Sequence, residues 1–425
     1  MSLEQKVNRQ LQKFPAVKKV VKRCYQRTMY ALSPKITSEG NIIRLSPNDP
    51  TSEYFFGYYD KSPWDASGKH ILCMRAKDTW SDPDPLSTAE ILMLNSEDGY
   101  SFRVIATTHT WNVQQGCMAQ WLGPDFSTNI IYNDLRDGKY CSIVQDVMSG
   151  KERILPMPVY TVSADGKIAL TLDFSRLHNL RKGYGYAALP EVTEGQLLPD
   201  ATCIWKMNIE TGEVMPLLNY ADFANFEPTP EMEGACHKVN HLMISPNGKR
   251  FMVLHRWFQG QRKYTRVITC NIDGTNMYCL NAGGGSHSFW KNDHEILAFE
   301  KKTGYGGGYF LMKDKTQDFT HLWPQLDNDG HPSYCPTDNH LVVTDTYPNR
   351  ARIASVKLLR DDDVEGKDMK VIARVFAPFK YDNDTRCDLH PRWSRDGKKV
   401  CFDSVFEGHR GLYVIDIEDE TIAHE

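Results

Sequence analysis

The feature that most constrains this chain is a turn that recurs at intervals of about 55 residues. Asp65-Ala66-Ser67-Gly68-Lys69, Ser163-Ala164-Asp165-Gly166-Lys167, Ser245-Pro246-Asn247-Gly248-Lys249 and Ser394-Arg395-Asp396-Gly397-Lys398 match closely. Each precedes a short run of strand formers, such as Ile71-Leu72-Cys73-Met74 or Val400-Cys401-Phe402. Asp-Gly and Asn-Gly supply the positive φ that a tight hairpin demands. Weaker copies at residues 121–125, 290–293 and 334–338 bring the set to seven. Seven four-stranded sheets arranged radially make a seven-bladed β-propeller. The expected fold is therefore all-β, a propeller over residues 41–425 with a short basic helical extension over 1–40. The last unit ends at residues 411–417, one strand short, and residues 41–46 are placed to complete it. Unequal spacing puts one long insertion, about residues 176–236, in the third unit, where it belongs on the functional face.

Composition narrows the function. A formal net charge of -4 leaves no global basic field, so a general nucleic-acid binder is not expected. Eleven cysteines, scattered and odd in number, read as free thiols in a reducing compartment. The expected location is cytoplasmic, with the inner face of the membrane as the variant suggested by the N-terminus. There Lys6, Arg9, Lys13, Lys18, Lys19, Lys22, Arg23, Arg27 and Lys35 stand against Glu4 alone. Leu11, Phe14, Val17, Val20, Val21, Tyr25 and Met29 recur at helical spacing between those cations. Residues 1–35 thus read as a basic amphipathic helix, suited to an anionic membrane surface or to packing on the propeller.

Aligning the repeats puts Lys61, Met118, Val159, His241, His287, His331 and His390 in one column, at the start of each innermost strand. A repeat explains a shared column but not four successive imidazoles. On a propeller they line an arc of the channel mouth, where His241, His287, His331 and His390 are suited to hold a divalent metal, manganese or zinc. Cys335 and Cys387, close in sequence to two of them, offer a zinc-site variant. The bland reading is that each column residue only bonds a neighbouring blade's backbone.

Two further clusters belong to the same face. His255-Arg256 ends the second strand of the fourth unit, preceded by His237. Arg176, Arg181, Tyr184 and Tyr186 open the long insertion. Arginine, histidine and tyrosine around a groove suit an acidic sugar polymer, cleaved by β-elimination. That reaction needs the carboxylate neutralised, a base for the α-proton and an acid for the departing oxygen. Arg256 or the metal is the candidate neutraliser, His255 or His237 the base, Tyr184 or Tyr186 the acid, with Arg176 beside them. Arg75, Lys61, Arg136, Arg181 and Lys301 are the expected substrate-binding cations. Neither a Gly-x-Ser-x-Gly elbow nor a phosphate loop in its strand-turn-helix context occurs.

Gly330-His331-Pro332-Ser333, residues 388–394, residues 176–186 and the His255-Arg256 pair resemble the seven-bladed polysaccharide lyases, the oligogalacturonate and ulvan lyases. The resemblance covers about residues 50–425 and omits the basic extension. It implies a lyase acting on uronate-containing oligo- or polysaccharide, with a divalent metal on channel-mouth histidines as in the oligogalacturonate type. The ulvan type implies instead His, Tyr and Arg around the groove and a structural zinc. The alternative function is a non-catalytic glycan-binding or scaffold propeller at the membrane surface, in surface-polysaccharide biosynthesis.

Overall fold

A computed structural model describes residues 15–260 and 262–417. Seven antiparallel sheets follow one another along the chain, at residues 53–108, 120–155, 161–219, 236–281, 285–322, 333–376 and 392–416. They form a seven-bladed propeller, each blade starting from its innermost strand. Ile43–Arg44 pairs antiparallel with Gly411–Asp416, Ile43 opposite Val414, and so gives the seventh blade its fourth strand. Just before it, Ser38–Glu39 adds a fifth strand to the sixth blade, against Lys370–Phe376. One N-terminal segment thereby covers two outer edges that would otherwise expose unpaired backbone groups.

The repeated turn has a common chemistry. The Ser163 hydroxyl donates to Asp165 at 2.6 Å, and the Lys167 N–H donates to the same carboxylate at 3.1 Å. Ser394 and Asp396 repeat this pair at 2.6 Å, and Ser245 and Asn247 at 2.9 Å. Adjacent blades are tied by tryptophans. Trp121, Trp290 and Trp393 each donate an indole N–H to the preceding blade's backbone, at Pro63, Met243 and Ser333 (2.8, 3.1 and 3.1 Å). Apolar contacts fill the rest of each interface, as where Val343 and Val356 of the sixth blade meet Val400 and Phe402 of the seventh.

Gly166 and Gly68 separate two roles of the turn glycine. Both have positive φ, 71° and 73°. An added Cβ at Gly68 meets open space, whereas at Gly166 it falls 2.0 Å from the Gly123 carbonyl oxygen of the second blade. Alanine at Gly68 should cost about 1–2 kcal/mol, the left-handed backbone penalty alone. Alanine at Gly166 should cost a further 1–3 kcal/mol or so, for forcing two blades apart. Thermal unfolding of both variants checks this, and equal losses would contradict it.

The extra residues of the third blade fall in two pieces rather than in one stretch over 176–236. Thr202–Asn208 and Val214–Asn219 are the outer strands of that blade. The true excursions are residues 173–201, opened by the helix Phe174–Leu180, and residues 220–235, opened by the helix Tyr220–Asn225. Thr202–Asn208 pairs with Ile168–Leu172 on one side and with Val214–Asn219 on the other, so the blade's outer half divides the insertion.

The N-terminal extension is a helix, Pro15–Leu32. It docks on the loop joining the sixth and seventh blades. Arg23 pairs with Asp382 at 2.9 Å, and Tyr30 stacks on Phe376 with centroids 5.1 Å apart. Val17, Val20 and Val21 face away from the propeller, 51, 63 and 41 % exposed. The apolar stripe is therefore not the docking face. Leu11 and Phe14 lie outside the described residues. Among the described residues no helix is long and apolar enough to cross a membrane.

Candidate functional site

The channel is plugged by two tyrosines. Tyr58 and Tyr59 follow Gly57 in the first blade, and both rings are buried. Their hydroxyls meet the two nitrogens of His241, Tyr58 at Nδ1 and Tyr59 at Nε2, each at 3.1 Å. Tyr59 also donates to the Ser288 carbonyl at 2.9 Å. Beyond the plug on the Tyr58 side lies a cavity of about 150 Å³ lined by Arg181, Tyr184, His241, Arg256, Lys263, His287, Asp329 and Tyr347 among others. Tyr59 and Lys61 line a separate cavity with Ser333 and Trp393.

Of the four column histidines, two keep a fully buried nitrogen without a hydrogen-bond partner. His331 Nδ1 lies 2.9 and 3.0 Å from the oxygens of Asp345, and His390 Nδ1 lies 2.9 Å from the Gly57 carbonyl oxygen. Those bonds place a proton on each Nδ1 and leave the lone pair on Nε2. Both Nε2 atoms are buried without a hydrogen-bond partner. Asp388 completes a group with them, its ligand atom and theirs all within 4.8 Å of one another. Imidazoles oriented by an acceptor at the far nitrogen are the usual supporting pattern of a metal site. Burial opposes charge on His331, yet Asp345 holds its pKa above the usual value. Burial and the neighbouring His331 hold that of His390 well below.

The other two column histidines stand apart from this group. His241 has both nitrogens engaged by tyrosine hydroxyls, which removes it from the expected ligand set. His287 lines the cavity with Nδ1 3.0 Å from Asp329, and its ring centroid is 4.1 Å from that of His331. Backbone geometry explains part of the column. His241 and His390 sit at φ 58° and 46°, as Met118 does at 58°, a left-handed conformation that histidine tolerates better than branched residues. Cys335 and Cys387 are buried thiols outside the metal-competent group, Cys335 packed in the core shared by the sixth and seventh blades.

Cations dominate the inner cavity. The fourth blade's second and third strands, Arg250–Gln259 and Arg262–Asn271, are ten residues long and carry Arg256 and Lys263. Arg181 caps the helix Phe174–Leu180, and its guanidinium lies 4.5 Å from the Tyr184 ring centre. Among the described residues none of the three has a carboxylate at ion-pair distance, and Arg256 Nε is a buried donor without a partner. Desolvation, then repulsion from Arg181, pushes Arg256 down to about 10. Desolvation, then Arg256 and Arg181, pushes Lys263 down to about 8. The one carboxylate of the lining, Asp329, is held by His287 below the usual range against the effect of burial. Uncompensated buried cations repel each other and favour an anionic occupant.

Strand alternation separates the His255-Arg256 pair, because successive side chains point to opposite faces. Arg256 faces the cavity. His255 faces the interior, where its Nδ1 accepts from Arg266 at 3.1 Å and its Nε2 lies 2.9 Å from His237 Nδ1. His237 Nε2 in turn lies 3.3 Å from the Met232 carbonyl oxygen. Both rings are thus enclosed in a buried chain, outside the cavity. The two tyrosines part as well, in the irregular loop that follows the helix Phe174–Leu180. Tyr184 lines the cavity, while Tyr186 stacks on Phe174 (centroids 4.4 Å apart) and accepts from Asn133 at 2.9 Å. Arg176 is a structural tie, bonded to Glu191 at 2.6 Å and to the His237 carbonyl at 2.8 Å.

The remaining expected binding residues are scattered. Arg75 pairs with Glu90, Arg136 with Asp134, and Lys61 with Asp60 at 2.7 Å. Lys301 is exposed and lies outside the cavity lining. Only Arg181 of that set reaches the cavity. Sequence reasoning missed Lys263, Asp329, Tyr347 and the Tyr58-Tyr59 plug. The plug had a signal, the aromatic run 54–59 interrupted by Gly57 just before the first column position.

A second cavity of about 640 Å³ adjoins the first, sharing Arg181 and Tyr184. Its lining adds Lys18 and Lys22 of the N-terminal helix, Gln114, Asn383, Asp384, Arg386 and Asp388. Asp388 therefore opens the metal-competent group toward this side.

Among solved structures, the chain shares its fold with an oligogalacturonate lyase in complex with manganese. The TM-score is 0.64 at 15 % identity, over 92 % of this chain and 96 % of that one. An oligogalacturonate lyase from Vibrio parahaemolyticus gives 0.60 at 13 % identity, over 89 % and 94 %. No protein-family profile and no curated protein matches the chain by sequence.

Proposed function

We propose that this propeller is a lyase that cleaves uronate-containing oligosaccharide by β-elimination. The observation that carries the reading is the inner cavity itself: three cations without counter-ions beside a histidine–aspartate group competent for a metal. Hydrolysis of a glycoside would call on a pair of carboxylates across the bond. The inner lining has Asp329 alone, already engaged by His287.

In this mechanism Arg256 and Arg181 hold the uronate carboxylate and so acidify the α-proton. Lys263, neutral in a useful fraction near pH 8, takes that proton. The released electron pair forms the new double bond, the β-carbon–oxygen bond breaks, and the oxygen takes a proton from Tyr184. Tyr184 suits this role because it lines both cavities, where the departing residue crosses from one to the other. His331, His390 and Asp388 fit a divalent metal, manganese or zinc. A metal bound there would supply Lewis-acid polarisation of a substrate carboxylate oxygen.

Elimination leaves an unsaturated uronate that absorbs in the ultraviolet. Incubating the protein, supplied with manganese or zinc, with pectic, ulvan-type and glycosaminoglycan oligomers should raise absorbance with at least one class. No gain with any of them would leave a glycan-binding propeller as the reading.

A further inference from the structure

We propose that the outer cavity is a second sugar subsite, in which Lys18 and Lys22 of the N-terminal helix hold the carboxylate of a neighbouring uronate. This rests on the lyase reading above and names what that site takes: a second uronate joined to the reacting one. Volume makes the first argument. Ligand cavities commonly measure about 300–1,000 Å³, and the inner one is well below that range. At about 150 Å³ it has room for the reacting residue and little more. The adjoining 640 Å³ has room for the next residue of a bound chain, and Arg181 and Tyr184 are common to both linings.

Charge makes the second. The outer lining carries Lys18, Lys22, Arg181 and Arg386 against Asp384 and Asp388. Arg386 is neutralised by Asp388, and Arg23 of the helix by Asp382. Lys18 and Lys22 have no such partner among the described residues; Lys22 only approaches the Asn383 side-chain oxygen at 3.4 Å. Four residues apart on one helix, they lie one above the other on the same side. The stretch Pro15–Leu32 contains no acid that could neutralise them.

Position makes the third. The helix is fixed by the Arg23–Asp382 ion pair and by Tyr30 stacked on Phe376, both on the side that turns the two lysines to the cavity. An extension that merely capped the propeller would not need cations in the lining of the cavity that also reaches Arg181.

Calorimetric titration of the full chain with galacturonate and digalacturonate tests this, below pH 6, where Lys263 is protonated and turnover is suppressed. The wild type should bind the dimer at least tenfold more tightly than the monomer. Lys18→Ala with Lys22→Ala should abolish that preference and leave monomer affinity within twofold, and Lys18→Arg with Lys22→Arg should restore it. A preference that survives the alanines, or a wild type that binds both lengths equally, overturns the subsite and leaves the lyase reading standing. A wild type that binds neither sugar overturns the galacturonate subsite and confines the lyase reading to ulvan-type and glycosaminoglycan chains.

Discussion

Lys263→Met should lower kcat by about 10²–10⁴, the range expected for loss of a general base. The pH profile makes this specific. Burial and the charges of Arg256 and Arg181 bring the Lys263 amine to about 8, so its neutral form accumulates as pH rises through that value. Arg256, brought to about 10, must stay charged to hold the carboxylate, so activity should fall above that pH. The wild-type profile of kcat/KM should therefore be a bell with limbs near 8 and 10. Arg256→Met tests the coupling. Removing one of the positive neighbours that depress Lys263 must raise its pKa, so the residual activity should show its acid limb shifted above 8. An acid limb that stays put, or a Lys263→Met variant with wild-type kcat, would remove Lys263 from the reaction.

The second large effect concerns the metal. Protein incubated with manganese or zinc and then desalted should retain about one equivalent in the wild type and none in His331→Ala or His390→Ala. Asp345→Asn weakens the bond that orients His331, and should cost about 10–100-fold in affinity, as loss of such support usually does. His241→Gln is the informative control, because both nitrogens of His241 are spent on Tyr58 and Tyr59. It should retain the metal and lower the melting temperature. Metal lost in His241→Gln but kept in His390→Ala would reverse the assignment. The readout is elemental analysis, which does not depend on turnover.

The fold was legible because its signals are local. An Asp-Gly or Asn-Gly turn such as Ser163–Lys167 fixes a hairpin within five residues, and its recurrence fixes the number of blades. The histidine column was legible for the same reason, since His331 and His390 hold equivalent places in successive repeats. What each histidine does was not legible, because it depends on partners far away in sequence. His331 is oriented by Asp345, His390 by the Gly57 carbonyl oxygen, and His241 is occupied by residues 182 and 183 positions earlier. Adjacent pairs misled in a predictable way. His255-Arg256 reads as one cluster in sequence, yet a strand must send the two side chains to opposite faces. Lys263 was invisible because its only distinction is the company of Arg256 and Arg181. The basic helix was recognised as amphipathic, but which face it turned inward depended on Asp382 and Phe376, more than 340 residues downstream.

The central claim, that this cavity breaks a uronate glycoside by elimination, is tested most directly by isotope-labelled water. An acidic oligosaccharide that the protein degrades should be digested in water enriched in heavy oxygen and its fragments weighed by mass spectrometry. Elimination predicts no heavy oxygen at the cleaved bond, and one fragment lighter by a water than its hydrolytic counterpart. Heavy oxygen incorporated into a saturated fragment would identify a hydrolase and contradict the account.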